Sequence, residues 1–95
     1  MLDISTYLRK TFEVQAVQVT DGNIYDVAKW CSGGIMSEDG SPFIKVRVER
    51  VLNERQTRAF PGDWVVFAGR GYKVYTDRAF RASFDPKKYE EPASV

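Results

Sequence analysis

The chain has 95 residues, a formal net charge of +1, 43% hydrophobic and 14% aromatic residues, one cysteine and no histidine. That length fits one domain with a thin core, and the composition is too apolar for disorder. Near-neutral charge gives the chain as a whole no pull toward nucleic acid or anionic membrane, no apolar run is long enough for a transmembrane helix, and a lone cysteine leaves no internal disulfide.

Residues 1–10 are weakly patterned. Ile4, Tyr7 and Leu8 at helical spacing predict either one short helical turn or a loose arm. The segment from Met1 to Ser5 lacks the apolar run of a signal peptide. Together with the missing disulfides, this predicts cytoplasmic residence.

Thr11 to Val19 predicts a strand. Phe12, Val14 and Ala16 alternate with Glu13 and Gln15, and the phase then changes at Val17 and Val19. Either a bulge lies near Ala16-Val17 or this end is covered on both faces. Thr20-Asp21-Gly22-Asn23 breaks the strand. Asn23 is an N-cap candidate, with Asp26 placed as in a capping box. Ile24, Val27, Ala28 and Cys31 form the apolar stripe of a helix. Gly33-Gly34 ends it, with glycine at the left-handed C′ position.

Ser37 to Ser41 reads as a loop. Phe43 to Leu52 predicts a long strand with Ile44, Val46 and Val48 on one face and Lys45 and Arg47 on the other. Asn53-Glu54 would be its hairpin tip, returning along Arg55 to Phe60. Phe60-Pro61-Gly62-Asp63 is the sharpest turn signal, since proline presets φ at i+1 and glycine supplies positive φ at i+2 of a type II turn. Asp63 would bond a nearby backbone N–H. Trp64 to Ala68 is then a strand, turned by Gly69-Arg70-Gly71 into Tyr72 to Tyr75. Asp77 would cap a short helix, Arg78 to Ser83, which Phe80 and Phe84 fasten to the sheet. Residues 87–95 read as a flexible tail.

The fold class expected is α+β. One antiparallel, strongly bent sheet of about five strands, with a partly closed, SH3-like form as one option, carries a main helix at about 23–32 and a short helix at about 77–83. Residues 11–86 make the domain.

Without histidine the chain has no Ser-His or Cys-His pair and lacks the commonest general base and metal ligand. One cysteine and no histidine leave no usual zinc set. Cys31, on the helix stripe, reads as a buried small hydrophobe. Gly69-Arg70-Gly71 lies between strands and lacks the strand-to-helix setting of a phosphate loop. These residues predict a non-enzymatic protein with no cofactor, no metal and no catalytic residues.

One asymmetry remains. Lys45, Arg47, Arg50, Arg55, Arg58, Arg70, Lys73, Arg78 and Arg81 are nine cations between positions 45 and 81, against the four acids Glu49, Glu54, Asp63 and Asp77. Cations beside aromatics hold nucleotides or single strands in other proteins, while the same residues also serve to guard an edge strand. The candidate binding set is Lys45, Arg47, Arg58, Trp64, Arg70, Tyr72 and Lys73.

Pro61-Gly62-Asp63-Trp64-Val65-Val66, then Gly71-Tyr72 and Tyr75, then Phe80 and Phe84-Asp85-Pro86 form a pattern that resembles small uncharacterised tailed-bacteriophage proteins. The earlier Gln15-Ala16-Val17-Gln18 segment, with its Asp-Gly turn and helix, resembles it too, so the likeness covers about residues 12–86. Thr76 departs from it, standing where a small residue or cysteine is expected, and Ser37 to Arg55 matches nothing in it. The resemblance implies a phage accessory protein in a bacterial cytoplasm, and it carries over no catalytic residue. The function expected is binding of a host protein or of a second copy of the chain through the aromatic and basic sheet face. A sponge for a nucleotide signal, built from Arg58, Arg70, Trp64 and Tyr72 in an oligomeric pocket, is the first alternative. A nucleic-acid binder or minor virion component is the second.

Overall fold

A computed structural model describes residues 2, 4–9, 12–48, 54–69 and 71–84. The strands are β1 (Ser5–Arg9), β2 (Phe12–Gln18), β3 (Gly34–Glu38), β4 (Ser41–Lys45), β5 (Arg58–Ala59), β6 (Trp64–Phe67) and β7 (Tyr72–Tyr75). The helices are α1 (Ile24–Trp30) and α2 (Asp77–Ser83), and Glu54–Thr57 forms a 3₁₀ turn. The fold is α+β and every strand ladder is antiparallel. The strands divide between two sheets instead of forming one: a four-stranded sheet in the order β1-β2-β6-β7 and a three-stranded sheet in the order β3-β4-β5. Neither closes into a barrel.

Two apolar clusters account for the layering. On one face of the four-stranded sheet, Val17, Val65 and Val74 pack with Ile24, Val27, Ala28 and Cys31 of α1 and its exit, and with Ile44, Val46 and Ala59 of the smaller sheet and its margin. On the other face, Val14, Ala16 and Val66 pack against Phe80 and Phe84. β2 is therefore covered on both faces at Ala16 and Val17, toward its C-terminal end. Its pairing runs unbroken from Gln15↔Phe67 to Gln18↔Trp64, so the phase change at Val17 marks double burial and not a bulge.

The Pro61-Gly62 turn forms as expected. Gly62 has φ of 100°, the Asp63 N–H donates to the Phe60 carbonyl at 2.8 Å, and the Phe60 N–H donates to Asp63 Oδ2 at 3.0 Å. The turn is tied to the end of β2, since Gly62 N–H donates to the Val19 carbonyl and Val19 N–H to that of Asp63, both at 2.8 Å.

Several local expectations are corrected. Residues 5–9 are strand β1, paired with β2 from Ser5↔Ala16 to Arg9↔Phe12, because a ladder along the β2 edge outweighs a weak helical spacing. Asn23 precedes α1 but makes no side-chain cap; its Oδ1 accepts from Thr20 N–H at 2.7 Å and its Nδ2 donates to the Gln18 carbonyl at 2.9 Å, which closes the loop instead. Ser32, not Gly33, takes the left-handed position after α1, with φ of 56°. Ser32 N–H donates to the Lys29 carbonyl and Gly33 N–H to that of Ala28, the Schellman pattern.

The expected loop at 37–41 is mostly strand. β3 and β4 form a hairpin closed by Asp39 and Gly40, both at positive φ. The long strand to Leu52 is shorter: β4 ends at Lys45, and residues 49–53 lie outside the described residues. The return is the 3₁₀ turn and then β5, where Ile44↔Ala59 and Lys45↔Arg58 pair. Thr76 caps α2, its Oγ1 accepting from Ala79 N–H at 3.1 Å, because its extended backbone turns the hydroxyl toward that orphan donor. The expected tail at 87–95 also lies outside the described residues.

Candidate functional site

Strand alternation sorts the smaller sheet into two faces. Ile44 and Ala59, paired across β4 and β5, turn into the core. Their neighbours Lys45 and Arg58, also directly paired, turn outward. The β3 register adds Gly34 opposite Lys45 and Met36 opposite Phe43 on that outer face. Phe43 is only 6% exposed although it lies on this side. The Phe60 ring covers it at 4.9 Å between centroids, and the Arg58 guanidinium stands 6.0 Å from its centroid.

The outer face is thus an apolar floor edged with charge. Met36 is 51% exposed. Arg58 Nη1 lies 3.2 Å from Glu38 Oε1, and Lys45 Nζ donates to Thr57 Oγ1 at 3.3 Å. Arg47 is exposed just beyond β4. Met36, Ser37, Glu38, Phe43, Lys45 and Arg58 line a shallow depression of about 260 Å³. An exposed ion pair such as Arg58–Glu38 is worth only about 0–1 kcal/mol, so a partner carboxylate can displace it at little cost.

Trp64, Tyr72 and Lys73 do not join this face. Trp64 stacks on Phe80 with centroids 3.8 Å apart and planes 5° from parallel, and its Nε1–H donates to Asp77 Oδ1 at 2.9 Å. It belongs to the packing of α2. Tyr72 meets Trp30 edge to face at 5.3 Å and its hydroxyl donates to the Trp30 carbonyl at 3.1 Å. Trp64 packs with the α2-side cluster and Tyr72 with the α1-side cluster, so the two lie on opposite faces of the larger sheet. Lys73, paired with Val66, is exposed on β7, Arg55 lies in the 3₁₀ turn rather than on the pairing strand, and Arg70 is outside the described residues. The nucleotide pocket built from Arg58, Trp64 and Tyr72 is therefore not assembled within one chain.

The residues that sequence reasoning missed here are Met36 and Phe43. The overlooked signal is Asp39-Gly40, a two-residue hairpin dipeptide that turns the flanking segments into paired strands. Tyr25, 72% exposed on α1, was likewise not singled out.

Titratable groups follow their surroundings. Burial pushes the Cys31 thiol above its usual value, and its Sγ–H lies 3.7 Å from the Ala28 carbonyl. Asp77 is held below the usual carboxylate value, first by the Trp64 indole N–H and then by Arg81. Among the described residues, no three His, Cys, Asp or Glu side chains cluster as a metal site, and no helix is long and apolar enough to cross a membrane. No protein-family model, no curated protein and no solved structure matches this chain.

Proposed function

We propose that this chain is a non-enzymatic binding protein that engages a partner protein through the outer face of the three-stranded sheet. The observation that carries this reading is the pairing of Lys45 with Arg58 beside exposed Met36 over the Phe43–Phe60 floor. Two cations flanking an apolar floor suit an acidic surface that carries an apolar anchor, because the charges steer the encounter and the anchor supplies the contact energy. The setting we propose, a phage accessory protein working on a host protein in the bacterial cytoplasm, rests on the Pro61-Gly62-Asp63-Trp64 and Phe84-Asp85-Pro86 resemblance.

The test is affinity capture from bacterial lysate, identification of the captured protein by mass spectrometry, and titration of that purified protein against wild type and Lys45→Glu/Arg47→Glu. Affinity is expected to fall at least about tenfold in the double variant, equivalent to about 1.4 kcal/mol. Unchanged affinity, or capture of no specific protein, would remove this reading.

A further inference from the structure

We propose that two copies of this chain pair antiparallel along β3, centred on Met36, to join their three-stranded sheets into one sheet of six strands.

β3 is an open edge. It pairs with β4 along its whole length and with no other strand among the described residues. Every residue of it except Ile35 is exposed. Exposed edges are normally blunted by lysine, proline, a bulge or very short length. β3 is Gly34-Ile35-Met36-Ser37-Glu38, with neither lysine nor proline, and its register against β4 is continuous from Gly34↔Lys45 to Glu38↔Ser41. Two of the other edges differ: β5 has two residues, and β7 takes Val48 as a parallel bridge at Tyr72.

The strand is also complementary to itself. An antiparallel pair about Met36 sets Met36 against the second copy's Met36 on the outer face. It sets Ile35 against Ser37 on the inner face, and Gly34 against Glu38 on the outer face again. Gly34 has no side chain, and the next residue across the sheet from it is Lys45, followed by Arg58. The second copy's Glu38 therefore lies in a gap beside Lys45, with Arg58, which already pairs with its own chain's Glu38, one strand further. Neighbouring strands are about 4.8 Å apart, so Glu38 and Lys45 stand about 10 Å apart at their Cα atoms, within reach of two long side chains. The two-fold axis repeats this contact at both ends. The join is made by backbone groups at the β3 edge; it shares Met36, Lys45 and Arg58 with the proposed binding face, but its test needs no partner protein, so either reading can fail without the other.

Disulfide trapping without any partner tests the assembly. In the proposed register the two Met36 Cα atoms are about 4.5–5.5 Å apart, inside the range a disulfide spans. Oxidised Met36→Cys is expected to run as a covalent dimer, and Ser37→Cys, offset by two positions from its own copy, to remain monomeric. Light scattering of the wild type should give twice the 10.9 kDa chain mass. Met36→Lys, which brings two like charges together, should give the single-chain mass with an unchanged circular-dichroism spectrum, and a melting temperature that no longer rises with protein concentration. A single-chain mass for the wild type at every concentration, or Ser37→Cys trapping as readily as Met36→Cys, would overturn the proposal. A dimer that Met36→Cys does not trap would overturn it too.

Discussion

Gly33 sits where the exit from α1 passes against β4. A Cβ there would lie 2.7 Å from Ile44 Cγ2 and 2.8 Å from the Lys45 carbonyl oxygen. Ile44 is fully buried, and a close-packed interior leaves neither atom room to retreat. Gly33→Ala is expected to lower the unfolding free energy by about 1–3 kcal/mol, measured by urea titration followed by circular dichroism. At Gly34 the same methyl meets nothing within 4 Å, so Gly34→Ala should stay within about 0.5 kcal/mol. Equal losses at both positions would contradict the packing argument. The glycine pair was legible as a helix stop, but its use was not. Ser32 carries the left-handed turn and Gly33 is reserved for close approach, a choice made by β4, which the chain reaches only after turning through β3.

α2 is a two-turn helix held by what it touches. Phe80 stacks on Trp64 and Phe84, and Tyr75 meets both phenylalanines edge to face. Asp77 ties this element to its neighbours, accepting from Trp64 Nε1–H and from Gln18 Nε2–H at 3.3 Å, and within the helix it accepts from Arg81 Nε–H at 3.0 Å. Its folded-state pKa is lowered, so its contribution is complete above the unfolded value, about 3.9, and is lost as pH falls through the lower folded value. Wild type should lose stability on acidification below about pH 4, and Asp77→Asn should lose less across the same window, as read by tryptophan fluorescence in thermal melts. Identical acid profiles would show that Asp77 is not coupled to folding. The helix, its aromatic anchors and the Pro61-Gly62 turn were all legible, because spacing and turn chemistry are local. Its cap is Thr76, one residue before the expected Asp77, since both are good caps and only the demand of Trp64 for an acceptor separates them. β1 was not legible, because it is held by a strand ladder and not by its own pattern, and β3 was legible only through the Asp39-Gly40 turn that follows it.

At the scale of the molecule, both sheets and α1 share one core, and Cys31 lies inside it at 2% exposure. The thiolate is the reactive form, and burial disfavours it. Modification of Cys31 by a disulfide reagent should therefore be slower in buffer than in urea by orders of magnitude, tracking global unfolding. Fast labelling in buffer would show that α1 opens locally. Local sequence alone dictates the α+β class, the two helices, the Pro-Gly turn, the buried place of Cys31 and the cationic excess between positions 45 and 81. These follow from periodicity, turn geometry and composition, which act over a few residues. Long-range packing sets the rest: the strands split into two sheets, Trp64 and Tyr72 become packing residues on opposite faces, and Lys45, Arg58, Met36 and Phe43 form one surface. Those outcomes depend on which strand lies beside which, and pairing between distant segments is set by shared burial across the whole chain.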